Sequence, residues 1–518
     1  VSSVSPGAVG TGRKNLVLTA MIFAVAMTFI DQTIVSIAAP KIQSELGLSS
    51  TGMQWAVNSY LLTMAALFAY GGRLADTMGH RRMVTIGVIV FAGASALCGL
   101  TPKGSLAETW IVAFRALQGV GGALMYPAAL AIVVNTYELR ERGRALALFF
   151  GIAGGLTAVG PVLGGYLSAW TWRAIFWVNI PIALIALVLI VISRPTTRHR
   201  PAPMDYRGLA LIAGGVALSV FGFQQSNIWG WSNPGIGLSI GLGLVLLVLF
   251  YRYEKTVTSP LMNVSIFGNR AFVVQNVILG IAMMVFVPMF FFASEYAAVS
   301  LDQKASQAGE SLLYFFLGFV VAAQIGGRML DRVGAKRPVV IGCAVAAVGF
   351  YLWARQLTTL DFNKELWMIV VAGAGMGLMM GPANTDAVNR ASSLSYGEAT
   401  GITQTVRNYG SSLSLAILGT VMVTETRSHL VSSLTSQGLS HAEAVRVANA
   451  NSGTGSGGST AAIPPFVRLD FARATQTVFS IMAGVMALAC VVALLGLRRG
   501  LQEQPEQRES GDSAVAPA

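Results

Sequence analysis

A succession of long apolar stretches, each separated from the next by a short charged or Gly/Pro-containing segment, runs through almost the whole chain. A helix crossing the hydrocarbon core of a bilayer needs about 20 apolar residues at a rise of about 1.5 Å each. By that measure spans are predicted near 16–39, 53–71, 83–101, 108–136, 145–169, 174–193 and 208–226. Further spans are predicted near 235–252, 271–299, 311–327, 338–356, 365–388, 399–424 and 474–497, about fourteen in all. Only 11% of the residues are charged, against about 25% in an ordinary soluble chain. Most of this chain must therefore lie in a solvent other than water. The expected class is an all-α polytopic membrane protein.

The net charge of +12 would suit a nucleic-acid binder, but its placement argues for loops. The charges form short clusters between apolar runs, with no basic stripe interleaved with aromatics. Cytoplasmic loops of membrane proteins carry an excess of Lys and Arg. Placing the N-terminus inside puts 23 basic residues on the cytoplasmic side and 6 in the short outer loops. Both termini are then cytoplasmic. The first apolar run, preceded by Arg13 and Lys14, is too long for a signal peptide and reads as a first span. Cys98, Cys343 and Cys490 all sit within apolar runs without metal-ligand spacing, so neither a disulfide framework nor a metal site is expected.

One charged segment occurs twice. Gly72, Arg73, Asp76, Gly79 and Arg82 have counterparts in Gly327, Arg328, Asp331, Gly334 and Arg337, 255 residues apart (327 − 72). Such internal similarity marks duplication. It predicts two six-helix halves, 1–193 and 271–497, with a basic linker and an extra two-helix hairpin over 194–270. Residues 425–473 read as one long outer loop containing a flexible Gly/Ser-rich linker, and 498–518 as a polar cytoplasmic tail.

Four motifs in order give the chain its resemblance to a known family. They are the repeated hinge, Phe29–Pro40 in the first span, Arg115–Gly122 in the fourth, and Gly151–Gly165 in the fifth. Trp172–Pro181 adds to them, and Leu156 departs from the pattern by standing where a small residue is expected. Together they resemble the major facilitator superfamily, in particular its fourteen-helix drug:proton antiporter branch. The resemblance implies a monomeric multidrug efflux transporter whose partners are a small-molecule substrate, protons and the lipid bilayer, with no nucleic acid and no cofactor. It implies proton coupling by Asp31, Arg115 and Gln118. It also implies an antiporter motif in Gly151, Gly155, Gly160, Pro161, Gly164 and Gly165.

The residues themselves bear on these roles. An acid at membrane depth is costly and marks a functional site by default, so Asp31 is either a proton site or a carboxylate in a fixed structural pair. Arg115 either faces the interior toward a carboxylate or carbonyls, or snorkels to the interface. In the hinge, Asp76 either pairs with Arg73 or Arg81 or sits at a neighbouring helix N-terminus, and both hinge copies are candidates for a cytoplasmic gate; orientation of the loops would by itself account for Arg81 and Arg82. The glycines of the fifth span allow close helix approach, and Pro161 frees a backbone carbonyl. Glu295, Glu310, Asp386 and Glu398 lie near span ends, as second proton or cation sites or as interfacial groups. Gln224, Gln225 and Asn227 read as the end of a span or as ordinary outer-loop residues, while Met379 and Met380 either line a substrate cavity or simply pack, and Asn408 is a further cavity candidate.

There is no G-x-x-x-x-G-K-[ST] segment to hold a nucleotide phosphate, so an ion gradient is the expected energy source. His80, His199, His429 and His441 fall in predicted loops without a catalytic or metal pattern, and no enzyme activity is expected. The expected function is proton-coupled export of amphipathic or cationic compounds by alternating access. Export of an endogenous metabolite, lipid or siderophore is the alternative. A non-transporting receptor would leave Asp31 and Arg115 without a reason.

Overall fold

Backbone N–H and C=O groups in a bilayer must be satisfied within the chain, which for a single segment means a helix. The computed structural model describes residues 11–137, 139–195, 203–389, 396–452, 463–498 and 500. It runs through α1 (Thr11–Leu46), α2 (Ser50–Met78), α3 (His80–Gly99), α4 (Ala107–Thr136), α5 (Leu139–Trp170), α6 (Ala174–Trp177), α7 (Asn179–Ser193), α8 (Tyr206–Trp229) and α9 (Pro234–Glu254). It continues through α10 (Arg270–Val299), α11 (Ala305–Val333), α12 (Lys336–Gln356), α13 (Phe362–Asn389), α14 (Tyr396–Ser436), α15 (His441–Ser452) and α16 (Pro465–Gly496).

Each predicted stretch falls on a helix, with α6 and α7 sharing 174–193. Among the described residues, 11 helical segments are long and apolar enough to cross a membrane. The three remaining stretches lie on α2, α5 and α14. α2 and α14 bury Gln54, Asn58, Gln404, Asn408, Ser411 and Ser412, which lowers their mean hydropathy although they are packed inside. On α7 and α9 the relation is reversed: Leu184, Val188, Ile192, Leu238, Val245 and Val248 are exposed, as lipid-facing residues are.

Two sets of helices pack internally. α4 lies against α1, α2 and α3, with α5 and α7 on α1; α13 lies against α11 and α12, with α10, α14 and α16 joined to one another. The sets meet through α2 with α14, α5 with α11, and α1 with α10. α8 and α9 pair, and α8 rests on α2 and α14. Ser219 Oγ and Tyr409 Oη lie 3.0 Å apart across the α8–α14 seam, and Thr420 Oγ1 donates to the Phe223 carbonyl at 2.9 Å.

Glycine contacts repeat between the sets as the hinge does. A Cβ on Gly71 would overlap the Ala123 carbonyl of α4, and one on Gly326 the Leu378 carbonyl of α13. Both pairs are offset by 255 (326 − 71 and 378 − 123). At the helix ends, Gly79 (φ 96°) and Gly334 (φ 78°) turn the chain, and their N–H groups close onto Ala75 O and Leu330 O, each at 3.0 Å. Such φ values disfavour any side chain. Gly79→Ala is expected to cost about 1–3 kcal/mol. Gly327→Ala, with a helical backbone and open space around it, is expected to be neutral or slightly stabilising; thermal unfolding of the two variants in detergent measures the contrast.

Three sequence expectations need correction. Residues 425–473 are not one loop, because α14 continues to Ser436, α15 occupies His441–Ser452 and α16 begins at Pro465. Gln224 does not end a span in a loop: α8 continues to Trp229, and Gln224 is fully buried. His80, His429 and His441 are helical rather than in loops. Arg198, His199, Arg200, Arg390, Arg499 and Arg508, the Gly/Ser-rich linker at 453–459 and the tail from 501 lie outside the described residues, as do the side chains of Arg140, Arg142, Arg144, Asn227 and Glu398.

Candidate functional site: a buried carboxylate–guanidinium cluster

Asp31 lies mid-way along α1, in a helix that the surrounding apolar residues hold in the core. Arg115 and Gln118, three residues apart on α4, present their side chains on one face. Asp31 and Arg115 are each 1% exposed and Gln118 is fully buried. Arg115 Nη1 is ion-paired with Asp31 Oδ2 and donates to Gln118 Oε1 at 2.8 Å. Gln118 Nε2 returns a hydrogen bond to Asp31 Oδ1 at 2.9 Å. Each of the three residues thus bonds both others. Interior placement, rather than snorkelling, is the arrangement Arg115 adopts.

The cluster extends through residues that sequence reasoning missed. Arg115 Nε donates to the Ala56 carbonyl at 3.0 Å, and its guanidinium lies 4.6 Å above the Tyr60 ring, both on α2. Ser95 of α3 accepts from Gln118 Nε2 at 3.3 Å and from Asn179 Nδ2 of α7 at 2.9 Å, while its own hydroxyl donates to Phe176 O. Helices α1, α2, α3, α4 and α7 thereby meet on one carboxylate and one guanidinium. A change of charge at Asp31 would be felt by all five. Asn179 stood inside a quoted motif; Ser95 and Tyr60 had no distinguishing signal, since serine and tyrosine are ordinary within apolar runs.

The glycines of α5 form a seam. Gly160 and Gly164 seat α5 on α1, where a Cβ would meet Thr33 and Ile34; Gly165 and the Pro161 carbonyl meet Ala305 and Gly309 of α11. Gly155 has open space around it, and the surroundings of Gly151 lie outside the described residues. α14 also places glycines against both sets, Gly410 on Gly280 of α10 and Gly419 on Gln54 of α2.

Of the expected arrangements for Asp76, the hinge adopts the one at a helix N-terminus: across the Gly79 turn its Oδ1 lies 3.0 Å from Nε2 of His80, the first residue of α3, and neither Arg73 nor Arg81 pairs with it. Arg73 Nε is buried without a partner. In the second copy Arg328, Asp331 and Arg337 are all exposed. Among the described residues neither copy forms an ion pair between the two helix sets. The side-chain hydrogen bonds that join the sets among the described residues lie toward the opposite end: Ser294 Oγ donates to Ile37 O at 3.0 Å, Ser412 Oγ to Asn58 Oδ1 at 2.6 Å, and Tyr166 Oη to Glu310 Oε1 at 3.0 Å. Asn58 Nδ2 in turn donates to Gln224 Oε1 at 2.6 Å, so α2, α8 and α14 share one buried polar relay.

Of the cavity candidates, Asn408 is buried with its Nδ2 unpartnered. Met379 is packing: it lies against Gly342 and Cys343 of α12. Met380 is buried as well. Asp386 is buried and accepts from Gln275 Nε2 at 2.6 Å. Arg407 donates to Gln404 Oε1 at 2.7 Å and leaves Nε unpartnered.

This architecture has relatives. The family model of the Major Facilitator Superfamily matches residues 21–415. The Tetracenomycin C resistance and export protein of Streptomyces glaucescens is 31% identical over 79% of this chain and 76% of its own. The Puromycin resistance protein pur8 of Streptomyces alboniger is 31% identical over 80% and 82%, and the Multidrug transporter protein MdtP of Bacillus subtilis (strain 168) 31% over 79% and 75%. Among solved structures, an inward-facing, unoccupied bacterial homologue of the human lysosomal transporter Spinster superposes with a TM-score of 0.62 at 17% identity, covering 94% of this chain and 98% of that one. The xylose transporter XylE from E. coli gives a TM-score of 0.59 at 12% identity, covering 95% and 100%. Such identities speak for the fold alone. The family match, which spans most of the sequence and includes the Asp31 cluster, does more: this chain is a multi-pass membrane protein of the Major Facilitator Superfamily.

Proposed function

We propose that the protein is a proton-coupled antiporter that exports amphipathic or cationic compounds across the cytoplasmic membrane by alternating access. The observation that carries this reading is the buried Asp31–Arg115–Gln118 cluster. A proton on Asp31 removes the negative partner of Arg115 and leaves the guanidinium with Ala56 O, Gln118 and the Tyr60 ring. Protonation therefore changes the attraction between α1 and α4 within one set of helices. Differential stability of this kind can bias an equilibrium between two access states.

In this reading the chain crosses the membrane fourteen times, as two six-helix halves plus the α8–α9 hairpin, with both termini cytoplasmic and the protein working as a monomer. The set-to-set contacts at the end opposite the hinges belong to one access state. The hinge residues Gly72–Arg82 and Gly327–Arg337 close the other end in the alternate state. α5, with glycines against both sets, is the helix along which the sets move. The names of the antibiotic-export and multidrug relatives support the substrate class.

The test is uptake of a cationic dye into inverted proteoliposomes with and without a pH gradient. The parent is expected to accumulate dye only with the gradient, and Asp31→Asn to lose the gradient-dependent component. Full gradient-driven flux in Asp31→Asn would falsify the assignment.

A further inference from the structure

At the end of the bundle opposite the hinges, α1, α5, α10 and α11 line a half-open cavity of about 600 Å³. That volume lies within the range of about 300–1,000 Å³ typical of small-molecule sites. Its walls combine apolar residues, including Ile37, Pro40, Ala298 and Val299, with polar ones such as Gln43, Ser44 and Ser306. Into this lining comes Glu295 of α10, which is 7% exposed and whose Oε1 is buried with no hydrogen-bond partner. A buried carboxylate without a partner is costly inside a membrane protein.

The neighbouring groups do not answer that need. The Ser294 hydroxyl is already committed to the Ile37 carbonyl. Lys41, on the α1 wall, donates to the Ser168 carbonyl at the end of α5 and lies 4.0 Å from Glu45. Lys304, the other cation of the lining, is exposed, and Lys304 and Glu295 are not ion-paired. A second acceptor, Gln303 Oε1, is also buried and unpartnered on the same lining. Two unmatched oxygen acceptors beside the apolar side chains of Ile37, Pro40, Ala298 and Val299 call for a ligand that brings N–H donors, positive charge and apolar bulk together.

We propose that this cavity binds an amphipathic ammonium ion carrying N–H donors, with Glu295 as its counter-ion. The site is separate from the Asp31 cluster: on α1, Ile37 lies six residues beyond Asp31, about 9 Å along the helix axis. The inference rests on the proposed export of amphipathic or cationic compounds and adds a docking place for them at one end of the pathway. The carboxylate selects charge, and the apolar walls tolerate different hydrocarbon shapes.

The test uses the full chain in lipid nanodiscs and two probes of nearly the same shape, dansylcadaverine, a primary ammonium at pH 7, and its N-acetyl derivative, which is neutral. Binding is read by fluorescence in the absence of any gradient, so the result is independent of whether proton coupling holds. The parent is expected to bind the ammonium at least about tenfold more tightly than the neutral probe, a factor that corresponds to about 1.4 kcal/mol. Glu295→Gln is expected to erase that preference while leaving the neutral probe unchanged and without lowering the unfolding midpoint, since it removes a costly buried charge. Ala298→Trp, which fills the cavity, is expected to remove binding of both probes. An unchanged ammonium preference in Glu295→Gln, an equal loss of both probes in that variant, or intact ammonium binding in Ala298→Trp would each overturn the proposal.

Discussion

Arg115→Met is expected to cost the folded protein about 3–5 kcal/mol, the range found when one partner of a buried ion pair is deleted. The cause is the carboxylate left behind. Asp31 would keep only the Gln118 amide in a site that admits no water, with both groups essentially unexposed. The double variant Asp31→Asn/Arg115→Met removes that uncompensated charge and is expected to recover most of the lost stability, yet to remain without gradient-driven flux. Arg115→Lys is expected to be intermediate. A single ammonium cannot reproduce the planar fork that reaches Asp31, Gln118 and the Ala56 carbonyl at once. Thermal unfolding in detergent measures the three variants. A parent-like midpoint for Arg115→Met would show that the pair does not hold α1 to α4.

A larger loss is expected from Gly373→Leu. A Cβ at Gly373 would overlap the Phe315 carbonyl of α11, and Gly377, one turn on, meets the Phe319 carbonyl in the same way. Gly375, between them, faces Ala346 of α12 instead. α13 is thus held on two sides by backbone-to-backbone contact, with no flexible side chain available to yield. A leucine there must push α11 away from α13, at a cost beyond the roughly 1–3 kcal/mol of ordinary overpacking. Little monodisperse protein is expected on size-exclusion chromatography. Gly381→Ala on the same helix adds a Cβ where nothing lies within 4 Å, and is expected to elute as the parent does. Equal yields from the two variants would remove the close-packed seam as an explanation for these glycines.

What could be read from the sequence follows from where polar groups are rare. In an apolar run Asp31 and Arg115 stand out, and the three-residue spacing of Arg115 and Gln118 puts them on one helix face. Their mutual contact was therefore accessible. Ser95, Tyr60 and Asn179 complete the cluster but are unexceptional residue types, and only their positions in space give them meaning. For Asp76 the sequence leaves charged neighbours and a helix N-terminus both open, and the Gly79 turn decides between them by bringing His80, the first residue of α3, into reach. Gln224 was misplaced by a helix boundary three residues short. The methionines at 379 and 380 are ambiguous in sequence, because lining a cavity and filling a helix seam use the same side chain. The helix of 441–452 has no apolar stretch to mark it, because half of its 12 residues are polar or charged and interrupt the others.

The length of α14 has a mechanical consequence. Its 41 residues make a rod about 60 Å long at about 1.5 Å per residue, roughly twice the ~30 Å thickness of a bilayer's hydrocarbon core. Within the bundle it lies against α2, α8, α10 and α16, and its far end carries α15. Such a rod acts as a lever arm. A tilt of about 10° moves a point about 30 Å from the pivot by roughly 5 Å, so small rearrangements deep in the bundle would be written in enlarged form at Ser433–Ser436, where a spectroscopic label could read them from the aqueous side.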